Sequence, residues 1–356
     1  MSEAVALLQE IVRIPSVSGD EARCRDHLAN WLETQGLRTW TSGRNVLAEL
    51  VGERPAPPAR GLLLLTHIDV VPVGPGWTRD PFDGALVDGR IHGRGANDAK
   101  ASVAAMAVAA ARADPRHLAG RVVLAFVCDE ETGGEGIEAC GHELPPFDAS
   151  AVGEPTELDV CPGQRGLFRA RLEITGRQAH ASRPWEGDNA IFRAAAVLDA
   201  LAALDLGAPD PLLGPATLQP TVIQGGTRPN VLPGSCTIEL DGRPTPAFDN
   251  AAMAAALEAA MPCTVVVRSN RFLPVRTPED ARIVQLARAA SPTGRVRAFG
   301  GVSDLFHVRH RPGVVMGPGT SAQSHAPDES VAAAQVDAGV ETYGRLIRSW
   351  LAEETA

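Results

Sequence analysis

Gly61-Leu62-Leu63-Leu64-Leu65-Thr66-His67-Ile68-Asp69-Val70 is an apolar run that ends on a histidine and an aspartate. A near-continuous apolar run with no alternating polar face marks a strand covered on both sides, as in a parallel sheet flanked by helices. The sequence on either side continues the pattern. Upstream, residues 4–12 place Ala4, Leu7, Leu8, Ile11 and Val12 on one helical face, Ser18-Gly19-Asp20-Glu21 opens a second helix towards residue 35, and residues 46–51 read as a strand. Downstream, the spacing predicts an Ala-rich helix over 99–113, a buried strand over 121–128, a helix from 135 and a short strand over 149–153. Strands alternating with helices predict an α/β fold, a mostly parallel sheet with helices on both faces.

From residue 163 the rhythm changes. Strand, helix, strand, strand, helix, strand are expected over 167–175, 189–204, 217–224, 235–241, 250–261 and 264–269, the β-α-β-β-α-β order of a ferredoxin-like α+β unit. A helix over 279–290, a short strand over 313–316 and a terminal helix over 332–351 follow. The expected organisation is therefore one α/β domain, residues 1–164 and 271–356, interrupted by an inserted α+β domain, residues 165–270.

The composition sets limits. With 356 residues, 44% hydrophobic and 21% charged, the chain has the balance of a globular protein of about two domains. A formal net charge of −10 with no Lys/Arg-rich run argues against nucleic acid or anionic lipid as partners. No apolar stretch approaches the roughly 20 residues needed to span a bilayer. Met1-Ser2-Glu3 offers no basic region ahead of an apolar segment, and six scattered cysteines without a CxxC pair fit a reducing compartment, so the cytoplasm is the expected location.

Five groups of residues carry the chemistry. His67 and Asp69, two apart at a strand end, are expected to face one way, with the Asp69 carboxylate accepting the second N–H of the imidazole. Gly93-Arg94-Gly95-Ala96-Asn97-Asp98 puts an acid just before a helix, where it could be an ordinary N-cap. Asp129-Glu130-Glu131 crowds three acids at the end of a buried strand, a costly arrangement unless a cation compensates. Glu154 in Gly153-Glu154-Pro155 and His325 in Ser324-His325-Ala326-Pro327-Asp328-Glu329 complete the set. Strand ends of a doubly wound sheet converge on one crevice. Two divalent cations there would compensate Asp98, Glu131 and Glu154, with His67 and His325 binding as neutral imidazoles. A nitrogen and carboxylate donor set without thiolate suits zinc, with cobalt or manganese as substitutes. Glu130, beside Glu131 but aimed elsewhere, is the natural general base.

Together these stretches resemble the M20 metallopeptidase and deacylase family over essentially the whole chain. The resemblance implies a bridging Asp98, His67 and Glu154 on one ion, Glu131 and His325 on the other, Glu130 as acid/base, and a cis peptide between Asp98 and Ala99. It implies that the inserted domain is a lid and a homodimer interface, with His180 in Gln178-Ala179-His180-Ala181-Ser182 reaching across the dimer to the developing oxyanion. It further implies that Asn230 and Arg243 lie in segments that contact substrate, with Arg243 and the Gly300-Gly301-Val302-Ser303-Asp304 loop, through Gly301 and Ser303, binding the substrate carboxylate. The implied activity is removal of an N-acyl group from a small amino acid, with acetylornithine deacetylation expected first. Desuccinylation of succinyl-diaminopimelate, release of lysine or ornithine from a carrier protein, dipeptidase or carboxypeptidase action, and a metal-free binding role stand as alternatives.

Overall fold

The computed structural model describes residues 1–57 and 60–352. They form two units, one of residues 1–162, 277–299 and 303–356 as far as described, the other of residues 163–276 and 300–302.

The first unit is built on a six-stranded sheet in the order Arg38–Ser42, Asn45–Val51, Arg121–Val127, Gly61–His67, Ala149–Val152, Gly313–Val315. The last four strands run parallel, and the first two extend one edge of the sheet through antiparallel pairing. Every residue of Gly61–His67 is buried, so both faces of the sheet are covered. Each fully buried leucine from Leu62 to Leu65 contributes about 1.5–3 kcal/mol of hydrophobic stabilisation.

The helix Lys100–Ala111 is buried almost all round rather than along one stripe, and its alanines let neighbouring elements approach closely. At Gly153 a Cβ would lie 2.6 Å from the Ser102 Cβ and 2.8 Å from the Met106 Cε, so only glycine lets this strand end lie against that helix. Lys100, the chain's one lysine, is fully buried. Its Nζ donates to the Ile11 and Ile14 carbonyls, at 2.8 and 3.0 Å, and so closes the C-terminal end of the helix Glu3–Val12. Burial lowers its pKa.

The second unit is a four-stranded antiparallel sheet in the order Thr217–Gly225, Ser235–Arg243, Phe168–Thr175, Thr264–Ser269, with the helices Ala190–Ala202 and Asn250–Ala260 following its first and third strands in sequence. Along Phe168–Thr175 burial alternates residue by residue, as in a sheet covered on one face. This is the split β-α-β arrangement the sequence pattern suggests. Its limits lie outside 165–270 because Gly163–Gln164 pairs with Val275–Arg276 and closes the unit at its base.

Besides the short strands Leu86–Val87, Arg90–His92 and Ser330–Ala332, which the sequence reading did not foresee, two elements of the six-stranded sheet differ from expectation. Arg38–Ser42 is a strand, although Arg-Thr-Trp-Thr-Ser is too polar to announce one; it is a half-exposed edge that the turn at Gly43-Arg44 folds back onto Asn45–Val51. The strand Gly61–His67 stops at His67, opposite Val127, so Ile68 and Asp69 lie beyond the pleat.

Candidate metal centre

Three adjacent parallel strands, Arg121–Val127, Gly61–His67 and Ala149–Val152, deliver His67, the Asp129-Glu130-Glu131 run and Glu154 to one end of the sheet. Asp98 arrives just ahead of the helix Lys100–Ala111. It does not cap that helix: the cap position is Ala99, and no side chain bonds the helix end there. Its Oδ1 lies 3.4 Å from His67 Nε2 and its Oδ2 lies 3.7 Å from His325 Nε2. Glu154 Oε1 stands 4.0 Å from His67 Nε2, and Glu131 Oε2 stands 3.0 Å from His325 Nε2. The side chains therefore form two trios, His67–Asp98–Glu154 and Asp98–Glu131–His325, each with ligand atoms within 4.8 Å of one another and with Asp98 common to both. Three carboxylates and two imidazoles without thiolate fit divalent ions of the zinc type. The Asp98–Ala99 peptide is cis.

Asp69 is fully buried, and its role differs from the simple orienter expected. His67 Nδ1 lies 3.0 Å from the main-chain carbonyl of Asp69 and 3.5 Å from its carboxylate. A carbonyl can only accept, so Nδ1 carries the hydrogen and Nε2 is left to face Asp98 and Glu154. Besides facing the imidazole, the carboxylate accepts the Ser18 hydroxyl at 2.7 Å and the main-chain N–H groups of Glu130 and Glu131 at 3.1 and 3.2 Å. The difference follows from the strand ending at His67: past the pleat, the period-two alternation that would put both side chains on one face no longer applies.

A second buried acid, Glu329, does for Asp98 what Asp69 does for the glutamates. Its Oε1 accepts the N–H groups of Asn97 and Asp98, both at 2.9 Å. Its Oε2 accepts the Gly95 N–H at 3.0 Å and an Arg94 guanidinium N–H at 2.8 Å. Gly95, at φ +82°, supplies the left-handed backbone that turns these N–H groups inward. Glu329 closes the 324–329 stretch, yet the sequence alone assigns it no role, because its partners lie more than 200 positions away in the chain.

The electrostatics are those of acids crowded together around two imidazoles. Burial, reinforced by the charges of neighbouring carboxylates, pushes Glu130 and Glu154 well above the usual carboxylate range against the opposing pull of His67. Burial likewise pushes Asp304 up to about 7. Burial alone would depress His67, but the Asp69 and Asp98 carboxylates outweigh it and hold the imidazole well above its ordinary value. Burial would raise Asp98, yet hydrogen bonds and charge from His67, with Ser324 and His325, hold it low. A bound cation reverses this logic by favouring every ionised carboxylate around it.

The remaining candidates are members of neither trio. In the second unit, His180 is exposed, with Nδ1 2.7 Å from Ser182 Oγ, and Asn230 is exposed, its carbonyl accepting the Ala181 N–H at 3.0 Å. Arg243 is already engaged: its Nε donates to Asp241 Oδ1 at 2.7 Å and its Nη2 to Oδ2 at 3.3 Å. Gly301 belongs to the second unit and Ser303 to the first, where the Ser303 hydroxyl accepts the Leu305 N–H at 3.3 Å.

The profile of peptidase family M20/M25/M40 matches residues 63–349. A succinyl-diaminopimelate desuccinylase of Magnetococcus marinus is 32% identical, over 98% of each chain. Among solved structures, aminopeptidase PepT of Bacillus cereus superposes with a TM-score of 0.81 at 20% identity, covering 98% of each chain. The YXEP protein of Bacillus subtilis, described as a dinuclear metal-binding peptidase of the M20 family, superposes with a TM-score of 0.73 at 18% identity, covering 98% of this chain and 97% of its own. Fold, site and relatives define a metal-dependent hydrolase of amide bonds. The chain belongs to peptidase family M20/M25/M40.

Proposed function

We propose that the protein removes an N-acyl group from an amino acid, with succinyl-diaminopimelate as the first substrate and N-acetylornithine as its closest competitor. The observation that carries the reaction is Asp98, which turns one carboxylate oxygen to each trio; the choice of succinyl rests on the relative at 32% identity. Two divalent ions, zinc with cobalt as a substitute, supply Lewis acidity to the amide carbonyl and to water when bound by the two trios. Glu130, a member of neither trio, takes a proton from the attacking water and delivers it to the leaving nitrogen. The carbonyl carbon gains an oxygen as its bond to nitrogen breaks, giving a carboxylate and an amine. Asp69 holds the backbone of Glu130 and Glu131. Arg243, Asn230, Gly301 and Ser303 receive the substrate carboxylate, with Arg243 exchanging part of its pairing with Asp241.

A panel of N-succinyl-diaminopimelate, N-acetylornithine, carrier-linked lysine and ornithine, and unblocked dipeptides, each with zinc and with cobalt, tests this reading. The expected result is fastest release of succinate with little dipeptide cleavage. Dipeptide cleavage without release of any acyl acid would overturn it.

The protein acts as a homodimer through its second unit, with His180 of one subunit stabilising the oxyanion in the other. The support is an open sheet edge, Thr217–Gly225, on which Val222 and Ile223 are exposed, with exposed Ile191 against Gly225. An exposed edge strand presents unpaired main-chain groups that a second copy of the chain can pair with. The variant Ile223→Glu is expected to run as a monomer in light scattering and to lose most of its kcat; a fully active monomer would reject a shared site. The cytoplasm is the proposed location. All six cysteines are free thiols, five of them buried, and among the described residues no helix is long and apolar enough to cross a membrane.

A further inference from the structure

Behind the metal trios lies a third group of acids. Glu21, Cys128 and Asp129 bring ligand-type atoms together, but a resident cation already sits among them. Arg44, at the tip of the turn between the strands Arg38–Ser42 and Asn45–Val51, directs both Nη atoms at the Asp129 carboxylate, Nη1 standing 3.0 Å from Oδ1 and Nη2 bonded to Oδ2, while Nη1 also bonds Glu21. Glu21 is fully buried, and its other oxygen accepts the Gly19 N–H at 2.8 Å.

Asp129 is the hinge of the turn that bears Glu130 and Glu131. It adopts φ +59°, a left-handed conformation few non-glycine residues take. Its carbonyl accepts the N–H groups of Gly133 at 3.0 Å and Gly134 at 2.8 Å. The next residue of the same strand tip, Asn45, holds both flanks: its Oδ1 accepts the Cys128 N–H at 2.9 Å and its Nδ2 donates to the Gly136 carbonyl at 3.0 Å. The turn is thus gripped from the front by Asp69 and from behind by Arg44 and Asn45.

We propose that Arg44 is a positioning residue for hydrolysis: its guanidinium, bound between Glu21 and Asp129, fixes the 128–136 turn so that Glu131 meets His325 and Glu130 is aimed for proton transfer. This rests on the hydrolytic reading above. A two-pronged guanidinium–carboxylate contact fixes orientation as well as charge, which a lysine ammonium cannot reproduce. Residues that orient metal ligands from behind typically change affinity or activity by about 10–100-fold when removed. The effect is selective, because only Glu131 among the five candidate ligands sits in this turn.

The test is titration of the metal-free full-length protein with cobalt(II), read by its visible absorption, beside kcat and KM on N-succinyl-diaminopimelate for Arg44→Ala, Arg44→Lys and Glu21→Gln. In Arg44→Ala one of two cobalt affinities is expected to fall by about 10–100-fold and the other to stay, with kcat falling by a similar factor and KM nearly unchanged. Arg44→Lys should recover only part of the loss, and added methylguanidinium should raise kcat of the alanine variant. A merely structural arginine would lower the melting temperature without separating the two cobalt affinities. A folded Arg44→Ala with both affinities and kcat of the parent overturns the proposal. Should that variant not fold, parent-like values in both Arg44→Lys and Glu21→Gln do the same. If the parent cleaves no amide, the hydrolytic reading fails on its own, and the cobalt titration still decides the role of Arg44 in holding the turn.

Discussion

Glu130→Gln is expected to keep the parent's metal content and to lose about 10²–10⁴-fold in kcat, the usual weight of a positioned acid/base. The substitution is nearly isosteric. Its main-chain N–H continues to donate to Asp69, so the turn and the neighbouring Glu131 stay in place. Glu130 belongs to neither trio, so removing its charge takes no ligand from an ion. What is lost is the capacity to accept a proton and release it. The carboxyl is suited to proton transfer because burial and the nearby Glu154 charge raise its proton affinity well above that of an exposed glutamate, and a cation beside it would draw the value back towards the working range. Elemental analysis of the purified variant, set beside steady-state kinetics on the preferred substrate, checks both halves. Parent-like turnover in a metal-replete variant would remove Glu130 from the proton path, and loss of metal would make it a ligand instead.

The parts of this molecule that announce themselves in the sequence obey local rules. The Leu62–Leu65 run reads as a doubly covered strand because burial on both faces leaves no polar alternation, and it is one. The five chemical stretches are conspicuous because crowded acids at strand ends are otherwise expensive. Arg38–Ser42 was illegible because an exposed edge strand needs little apolar surface. The supports behind the site were illegible for another reason: Glu329 meets Gly95, and Arg44 meets Asp129, across long stretches of chain, through buried hydrogen bonds that leave no periodic trace. Asp69 was half legible. Its proximity to His67 is local, but the identity of the accepting atom depends on where the strand stops.

Asp98→Ala is expected to abolish binding of both ions and to remove more activity than any other single substitution, whereas Glu154→Ala and Glu131→Ala should each weaken one ion and largely spare the other. The asymmetry follows from the arrangement of oxygens. Asp98 turns Oδ1 to His67 and Oδ2 to His325, so one side chain serves both trios, while Glu154 and Glu131 each face a single histidine. The fold should survive the change. Asp98 does not cap the following helix, and the grip of Glu329 on this segment runs through the main-chain N–H groups of Gly95, Asn97 and residue 98, which an alanine retains. Loss of metal would therefore occur in a protein with parent-like circular dichroism, which separates a missing ligand from a collapsed site. Equilibrium dialysis against zinc, with the three variants side by side, supplies the measurement. One tightly bound ion per chain in Asp98→Ala would mean that the carboxylate is not shared, and the two trios would then have to be treated as independent sites.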